Sequence, residues 1–232
     1  MEMPGILLTM QTPKHHFWLF LIVFLAVWIL RATWFYSRVD LSILDPTWRL
    51  FFSTGMKFVM WVLPAAAYVL WHDRQSPLAT MKVNTRIDWR GALIGVGVSI
   101  MYFAGMTAFE YFAAHQTLAM LLKAAPQTIF GTLASLLFSP IFEELFFRGF
   151  VLPKMNESMR FWPANLVQTF LFTAIHWPNW LWVSGFRWGV VTTSVSIFLL
   201  GLLLGWLTRR TNSIWLAVIM HILNNFLSAF LG

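Results

Sequence analysis

Long apolar runs, separated by short polar segments, make up most of the sequence. A helix that crosses a bilayer needs about 20 mostly apolar residues, and the spacing of the polar segments predicts seven such helices. The predicted spans are approximately residues 17–36, 50–71, 91–113, 127–152, 162–177, 189–207 and 213–231. The fifth is short, because Trp177, Pro178 and Asn179 are expected to end it. The pattern therefore predicts an all-α, polytopic transmembrane helix bundle of about seven spans.

The polar segments between these spans show no sign of a second folded domain. The longest runs from His72 to Arg90 and holds Pro77, Asn84 and charges of both signs. The sequence has no internal repeat and no low-complexity tract, and its length suits one domain. Residues 1–232 are therefore expected to form a single transmembrane domain.

Composition supports the membrane prediction. Apolar residues occupy 59% of the 232 positions and charged residues 11%, whereas soluble domains have roughly 45–50% and 25%. A soluble domain of this size could not bury so much apolar surface in one core. Several of the 14 tryptophans lie near the ends of the predicted spans, as is typical of side chains at a membrane interface. Cysteine is absent, which excludes disulfides and thiolate chemistry.

The net charge of +7 comes from basic residues scattered between the apolar runs. No basic run with interleaved aromatic residues is present, so nucleic acid is not an expected partner. Loops on the N-terminal side of the bundle hold more of the basic residues, which predicts a cytoplasmic N-terminus. These residues are Lys14, Arg74, Lys82, Arg86, Arg90, Lys154, Arg160, Arg209 and Arg210. The first apolar run lacks a cleavage pattern, so we expect a retained helix in a bacterial-type inner or cell membrane.

Three ionisable residues lie within six positions of one apolar run: Glu143, Glu144 and Arg148. Each costs about 2.5–3.5 kcal/mol at the centre of a bilayer, so each is expected to have a partner or a function. Glu144 and Arg148 are four residues apart on one helix face and are expected to form a buried ion pair. Glu143 points about 100° away and is therefore the candidate to face a cavity.

Three further polar residues lie in later apolar runs: His176, and the pair His221 and Asn225 one helical turn apart. Each alone is typical of an interhelical hydrogen bond. At 1.5 Å per residue from the nearest turn, Glu143, His176 and Asn225 are expected roughly 18–20 Å deep and His221 roughly 12 Å deep. The turns are expected on the cytoplasmic side, so the four groups are expected to meet in one site that opens to the cytoplasm.

These residues resemble the motifs of the CPBP family, which contains CAAX-type prenyl endopeptidases and bacteriocin-processing or immunity proteins. The matching motifs are Glu143-Glu144-x-x-x-Arg148, Phe172-x-x-x-His176 and His221-x-x-x-Asn225. The resemblance covers roughly residues 125–231 and implies an α-helical intramembrane protease with its catalytic core there. It also implies that Glu143, His176, His221 and Asn225 are catalytic, with Glu144 and Arg148 in support.

The expected reaction is hydrolysis of a peptide bond by water. Glu143, together with His176, would act as the general base, and His221 and Asn225 would stabilise the oxyanion of the tetrahedral intermediate. The expected substrate is a hydrophobic or lipidated peptide or protein, prenylated proteins included.

Participation of a metal is open at this stage. Glu143, His176 and His221 are a reasonable ligand set for a divalent cation such as zinc. The chain lacks a His-Glu-x-x-His helix, and the resemblance also permits a metal-free glutamate mechanism, which we favour.

Other functions fit the sequence less well. The serines in the apolar runs lack a Gly-x-Ser-x-Gly context, and no aspartate lies inside a predicted span, which disfavours serine and aspartyl intramembrane proteases. A non-catalytic immunity or scaffold protein, or an ion-coupled transporter, could use the same ionisable residues as a relay. A transporter is expected to show inverted repeats with broken helices, and none is apparent.

Overall fold

The computed structural model describes residues 15–35, 38–39, 43–86, 89–113 and 129–231. Within these ranges the regular structure is helical and contains no strand. Lys14 and the first two residues of the predicted span 127–152 lie outside them. The prediction of an all-helical protein is therefore confirmed for the described part of the chain.

The described helices are numbered here in chain order. They are α1 (His15–Leu30), α2 (Pro46–Lys57), α3 (Pro77–Thr80), α4 (Trp89–Ala113), α5 (Ile129–Phe146), α6 (Phe161–Ala174), α7 (Trp177–Ser184), α8 (Trp188–Thr211) and α9 (Trp215–Leu231). Helix α1 continues as a π-helical turn to residue 35, α2 continues to residue 72, and α5 continues to residue 156.

Four helical segments are long and apolar enough to cross a membrane: His15–Phe35, Phe51–His72, Trp89–Phe109 and Trp188–Thr211. A shorter apolar helix covers Trp215–Leu227. Helix α6 has 14 residues and is about 21 Å long at 1.5 Å per residue, less than the roughly 30 Å of a bilayer core. The chain is an integral membrane protein, and a total of seven spans stays a prediction.

Two prolines follow widened turns in the long helices. A π-helical turn at Phe58–Val62 comes just before Pro64, and another at Phe147–Val151 comes just before Pro153. A proline inside a helix cannot donate to the carbonyl four residues earlier and its ring crowds that carbonyl. A widened turn gives the backbone room to continue past the proline, so both helices extend beyond it.

Helix α5 packs against α2 on one side and against α9 on another, while α8 packs between α6 and α9. The aromatic side chains of Phe146, Phe147 and Phe150 on this helix are fully buried. Rings from α1 and α2 surround them, with Phe24 and Trp61 in contact with Phe146. The helix that carries the two glutamates is therefore the centre of the bundle.

Helices α6 and α8 approach closely because α8 has glycines at the contact. A Cβ atom on Gly205 would lie 1.9 Å from Oδ1 of Asn165, and one on Gly201 would lie 2.7 Å from Cγ2 of Thr169. Only a residue without a side chain fits at these two positions. This approach also brings the Gly201 carbonyl to the buried end of Arg148.

Candidate active site

Glu144 and Arg148 form the buried ion pair that their spacing predicts. Nη1 of Arg148 donates to Oε1 of Glu144 at 2.9 Å, and both side chains are fully buried. Nη2 of the same arginine donates to the Gly201 carbonyl of α8 at 3.0 Å. Its guanidinium lies 4.3 Å from the ring centre of Phe172 on α6. The arginine therefore links three helices at the depth of the site.

His221 on α9 binds the same glutamate. Its Nδ1 lies 2.7 Å from Oε1 of Glu144, and a carboxylate can only accept, so Nδ1 carries the proton and donates it. The other nitrogen, Nε2, is then left with a lone pair in the neutral ring. Glu144, which the sequence assigns a supporting role beside Arg148, also fixes the orientation of a histidine from another helix.

Glu143 and His221 face each other with their remaining atoms. Oε2 of Glu143 lies 3.8 Å from Nε2 of His221, which is too long for a direct hydrogen bond. Both side chains are buried, with 6% and 5% of their surface exposed. The sequence-based expectation that these residues meet, although they lie far apart in the chain, agrees with this arrangement.

The other oxygen of Glu143 is held by two residues that the motifs do not include. Nζ of Lys57, at the end of α2, donates to Oε1 at 2.5 Å, and Oγ of Ser139 donates to the same atom at 2.9 Å. Lys57 also donates to Ser139. A carboxylate that faces an open cavity would have both oxygens free. In Glu143, Oε1 is bound, and only Oε2 remains available.

Sequence reasoning missed Lys57, although a signal was present. It is the one Lys, Arg, Asp or Glu between residues 50 and 71. A charge inside an apolar span is costly. This cost marks Lys57 as a candidate functional residue in the same way as Glu143. The lysine was passed over because the family motifs begin only after residue 125.

His176 lies beside this group at the junction of α6 and α7. Its Nδ1 donates to the Phe172 carbonyl at 2.9 Å, which leaves Nε2 as an acceptor in the neutral ring. The Phe172 ring meets both His176 and His221 edge to face, with ring centres 5.4 and 5.8 Å apart. In the described part of the chain, no direct hydrogen bond joins His176 to Glu143.

Asn225 lies one turn beyond His221 on α9 and is half-buried. Its Oδ1 accepts a 3.5 Å bond from Nδ2 of the neighbouring Asn224. Among the described contacts, none links Asn225 to Glu143 or His221. The structure therefore brings Glu143, Glu144, Arg148 and His221 into direct contact, with His176 adjacent and Asn225 within one helical turn.

The metal set left open by the sequence was Glu143, His176 and His221. Among the described residues, no group of three or more His, Asp or Glu side chains is arranged to hold a metal ion. Zinc ligands must converge to about 2.0–2.2 Å from one point. Here one oxygen of Glu143 binds the Lys57 ammonium and Nδ1 of His221 binds Glu144. These two contacts leave Oε2 of Glu143 and Nε2 of His221, 3.8 Å apart, as the donor atoms that could hold either a metal ion or a water.

Comparison with known proteins agrees with the motifs. Residues 125–227 match the sequence model of a family described as type II CAAX prenyl endopeptidase Rce1-like. No curated protein and no solved structure gives a match. The matched segment contains all the motif residues named above, whereas Lys57 lies outside it.

Proposed function

Because residues 125–227 belong to the CAAX protease family, we propose that the protein is an intramembrane endopeptidase that uses a glutamate-activated water. Its substrate is a hydrophobic or lipidated peptide or protein. One observation carries the proposal: the 3.8 Å separation between Oε2 of Glu143 and Nε2 of His221. These atoms belong to the two residues that the family motifs and the buried contacts both select.

The separation suits one water molecule. Oε2 of Glu143 accepts hydrogen bonds, and Nε2 of His221 also accepts them because Glu144 holds the proton on Nδ1. A water between two acceptors donates one proton to each, at hydrogen-bond lengths of about 2.8 Å. Its oxygen then has both lone pairs free to attack a carbonyl carbon. The two side chains would bind a water in the orientation that a nucleophile needs.

In the proposed reaction, Glu143 takes one proton from the water as its oxygen bonds to the scissile carbonyl carbon. General-base assistance of this kind contributes about 10²–10⁴-fold to a rate. The carbonyl oxygen becomes an oxyanion, to which the amide of Asn225 can donate. Collapse of the intermediate breaks the carbon–nitrogen bond, and the proton held by Glu143 passes to the leaving amine.

The histidines assist at two points. His221, which the sequence assigns to the oxyanion, instead accepts the other hydrogen bond of the water in this scheme, because its Nε2 carries no proton. The negative charge of Glu144 would stabilise its ring whenever it gains a proton. His176 has a free Nε2 because its Nδ1 donates to Phe172, so it can serve as the second base. No step in this scheme requires a metal ion.

The family description favours a prenylated peptide as the first substrate to test. The bundle would cross the membrane seven times, and the basic loops favour a site open to the cytoplasm. A prenyl chain could remain in the acyl region of the bilayer while the peptide reaches Glu143. Many large apolar side chains of the described helices are exposed, which suits such a substrate.

The test uses the full chain in lipid nanodiscs and two internally quenched peptides of one sequence. One peptide ends in a farnesylated CAAX motif and the other lacks the lipid. We expect the wild type to cleave the farnesylated peptide, with the cleaved bond located by mass spectrometry. Glu143→Gln should lower kcat about 10²–10⁴-fold, because the amide cannot act as a base.

Glu157→Gln is the matched control. Glu157 is 55% exposed and pairs with Lys154 just beyond the far end of the same helical segment, so its loss should leave kcat unchanged. If Glu143→Gln keeps the wild-type rate while folding normally, the glutamate-activated mechanism is wrong. A non-catalytic binding function would then fit the site better.

A further inference from the structure

The mechanism above gives no role to Lys57, although this lysine makes the shortest contact to the reactive glutamate. It belongs to α2, in a part of the chain outside the family match at residues 125–227. A charged side chain inside an apolar span is costly unless it is paired or functional. Lys57 is paired with Glu143, so the question is what the pairing does for the carboxylate.

Lys57, Ser139 and Glu143 form a closed ring of hydrogen bonds. The ammonium of Lys57 donates to both Oγ of Ser139 and Oε1 of Glu143, and Ser139 donates to the same Oε1. Ser139 and Glu143 are four residues apart, so they share one face of α5. Oε1 therefore accepts two bonds from this ring, while Oε2 is turned toward His221.

The helices hold this ring in register. The neighbours of Lys57 and Glu143, Phe58 and Phe142, pack with ring centres 5.3 Å apart. Nζ of Lys57 also lies 5.5 Å from the ring centre of Trp61, a residue that is completely buried. The Trp61 ring limits the positions that the ammonium can take, and the Phe58–Phe142 contact holds α2 beside α5 next to the lysine and the glutamate.

We propose that Lys57, together with Ser139, is a positioning residue of the active site. The two residues bind Oε1 of Glu143 so that Oε2 is presented to the water shared with His221. This inference rests on the proposed function, since positioning matters only if Glu143 is the base. It also means that α2, which the family match does not cover, completes the catalytic centre.

Lys57 acts on the Glu143 carboxylate both through its charge and through the position that it imposes. A carboxylate among apolar helices stays ionised, and therefore basic, only beside a compensating charge, and Lys57 supplies one. A catalytic group must also be held close to its productive geometry, since a misplacement of about 1 Å can cost on the order of 10²-fold in rate. Ser139 contributes only to the position of the carboxylate, because a hydroxyl has no charge.

The experiment compares kcat and KM for Lys57→Met, Lys57→Arg and Ser139→Ala, using the farnesylated quenched peptide and the full chain in nanodiscs. We expect Lys57→Met to lower kcat about 10²-fold with little change in KM. Lys57→Arg keeps the charge and two donors, so its kcat should be about tenfold higher than that of Lys57→Met. Ser139→Ala, which removes one of two bonds to Oε1, should lower kcat by about three- to tenfold.

Lys154→Met is the matched control, because Lys154 is also a buried, ion-paired lysine. Its Nζ lies 2.7 Å from Oδ2 of Asp73 and 2.8 Å from Oε1 of Glu157. Losing this pair should lower the unfolding temperature and leave kcat unchanged. A lysine with a merely structural role at position 57 would behave in the same way.

A second readout does not depend on turnover. The infrared carboxylate band of Glu143 is obtained by subtracting the spectrum of Glu143→Gln from that of the wild type. We expect this band to shift in Lys57→Met and to stay in place in Lys154→Met.

The outcomes separate the two proposals. Wild-type kcat and an unshifted band in Lys57→Met, beside an inactive Glu143→Gln, overturn the role of the lysine and leave the proposed function standing. Full activity in Glu143→Gln overturns both. Should Lys57→Met fail to fold, wild-type kcat and an unshifted carboxylate band in Ser139→Ala overturn the positioning role.

Discussion

Nδ1 of His221 lies 2.7 Å from Oε1 of Glu144, so the second glutamate of the motif holds a histidine as well as an arginine. Both partners donate to the same oxygen, Oε1, since Arg148 reaches it at 2.9 Å. The pair decides which nitrogen of His221 faces Glu143. The chemistry of the first glutamate therefore depends on the second through a histidine from another helix.

Glu144→Gln should lower kcat by about 10²–10⁴-fold with little change in KM. A glutamine oxygen at the Oε1 position can still accept from Arg148 and from Nδ1, but the negative charge that would stabilise the protonated ring is lost. Replacing the buried carboxylate by its amide costs about 10⁴-fold in kcat in the serine protease triad. Steady-state kinetics with the farnesylated peptide check this. A kcat within about twofold of the wild type would mean that His221 does not need Glu144.

Arg148→Met should destabilise the protein by about 3–5 kcal/mol, because it leaves the Glu144 charge buried without its main partner. The double variant with Glu144→Gln removes both charges and should be more stable than Arg148→Met alone. Equilibrium unfolding in mixed micelles gives both free energies. Arg209→Met serves as a control, since Arg209 is exposed. An Arg148→Met variant as stable as Arg209→Met would contradict the structural importance of the ion pair.

The part of the site that the sequence predicts correctly is the local part. Glu144 and Arg148 are four residues apart on one helix, so the 3.6-residue period alone brings them together. Lys57 binds Glu143 across 86 positions, and the attachment of His221 to Glu144 spans 77. Such partners depend on how helices rotate and pack, which the spacing of residues within one helix does not determine.

The helix boundaries show a second limit. Trp177-Pro178-Asn179 is predicted to end the fifth span, yet α7 begins at Trp177 and includes all three residues. Proline is tolerated in the first turn of a helix, where its missing N–H has no partner to lose. The same residues can therefore end one helix and begin the next. The prediction that a span ends near them agrees with the structure, and the second helix was missed.

Gly205→Ala should destabilise the protein by about 1–3 kcal/mol, because an added Cβ would overlap Oδ1 of Asn165 at 1.9 Å and force α6 away from α8. Gly97→Ala on α4 is the matched control, since its Cβ would meet nothing within 4 Å. That change should be neutral or stabilising by up to about 1 kcal/mol, as alanine favours a helix. The free energies of unfolding in mixed micelles give the comparison. Equal effects of the two substitutions would contradict the close approach.

The most direct test of the account is a double-mutant cycle on kcat with Glu143→Gln and His221→Gln. If the two residues hold one water, either substitution alone removes the orientation of that water. The effects on kcat of substituting residues that act as a unit are strongly non-additive. We predict that each single variant loses about 10²–10⁴-fold in kcat and that the double variant loses no more than the worse single variant. Losses that multiply in the double variant, or a His221→Gln variant with wild-type kcat, would contradict the shared water.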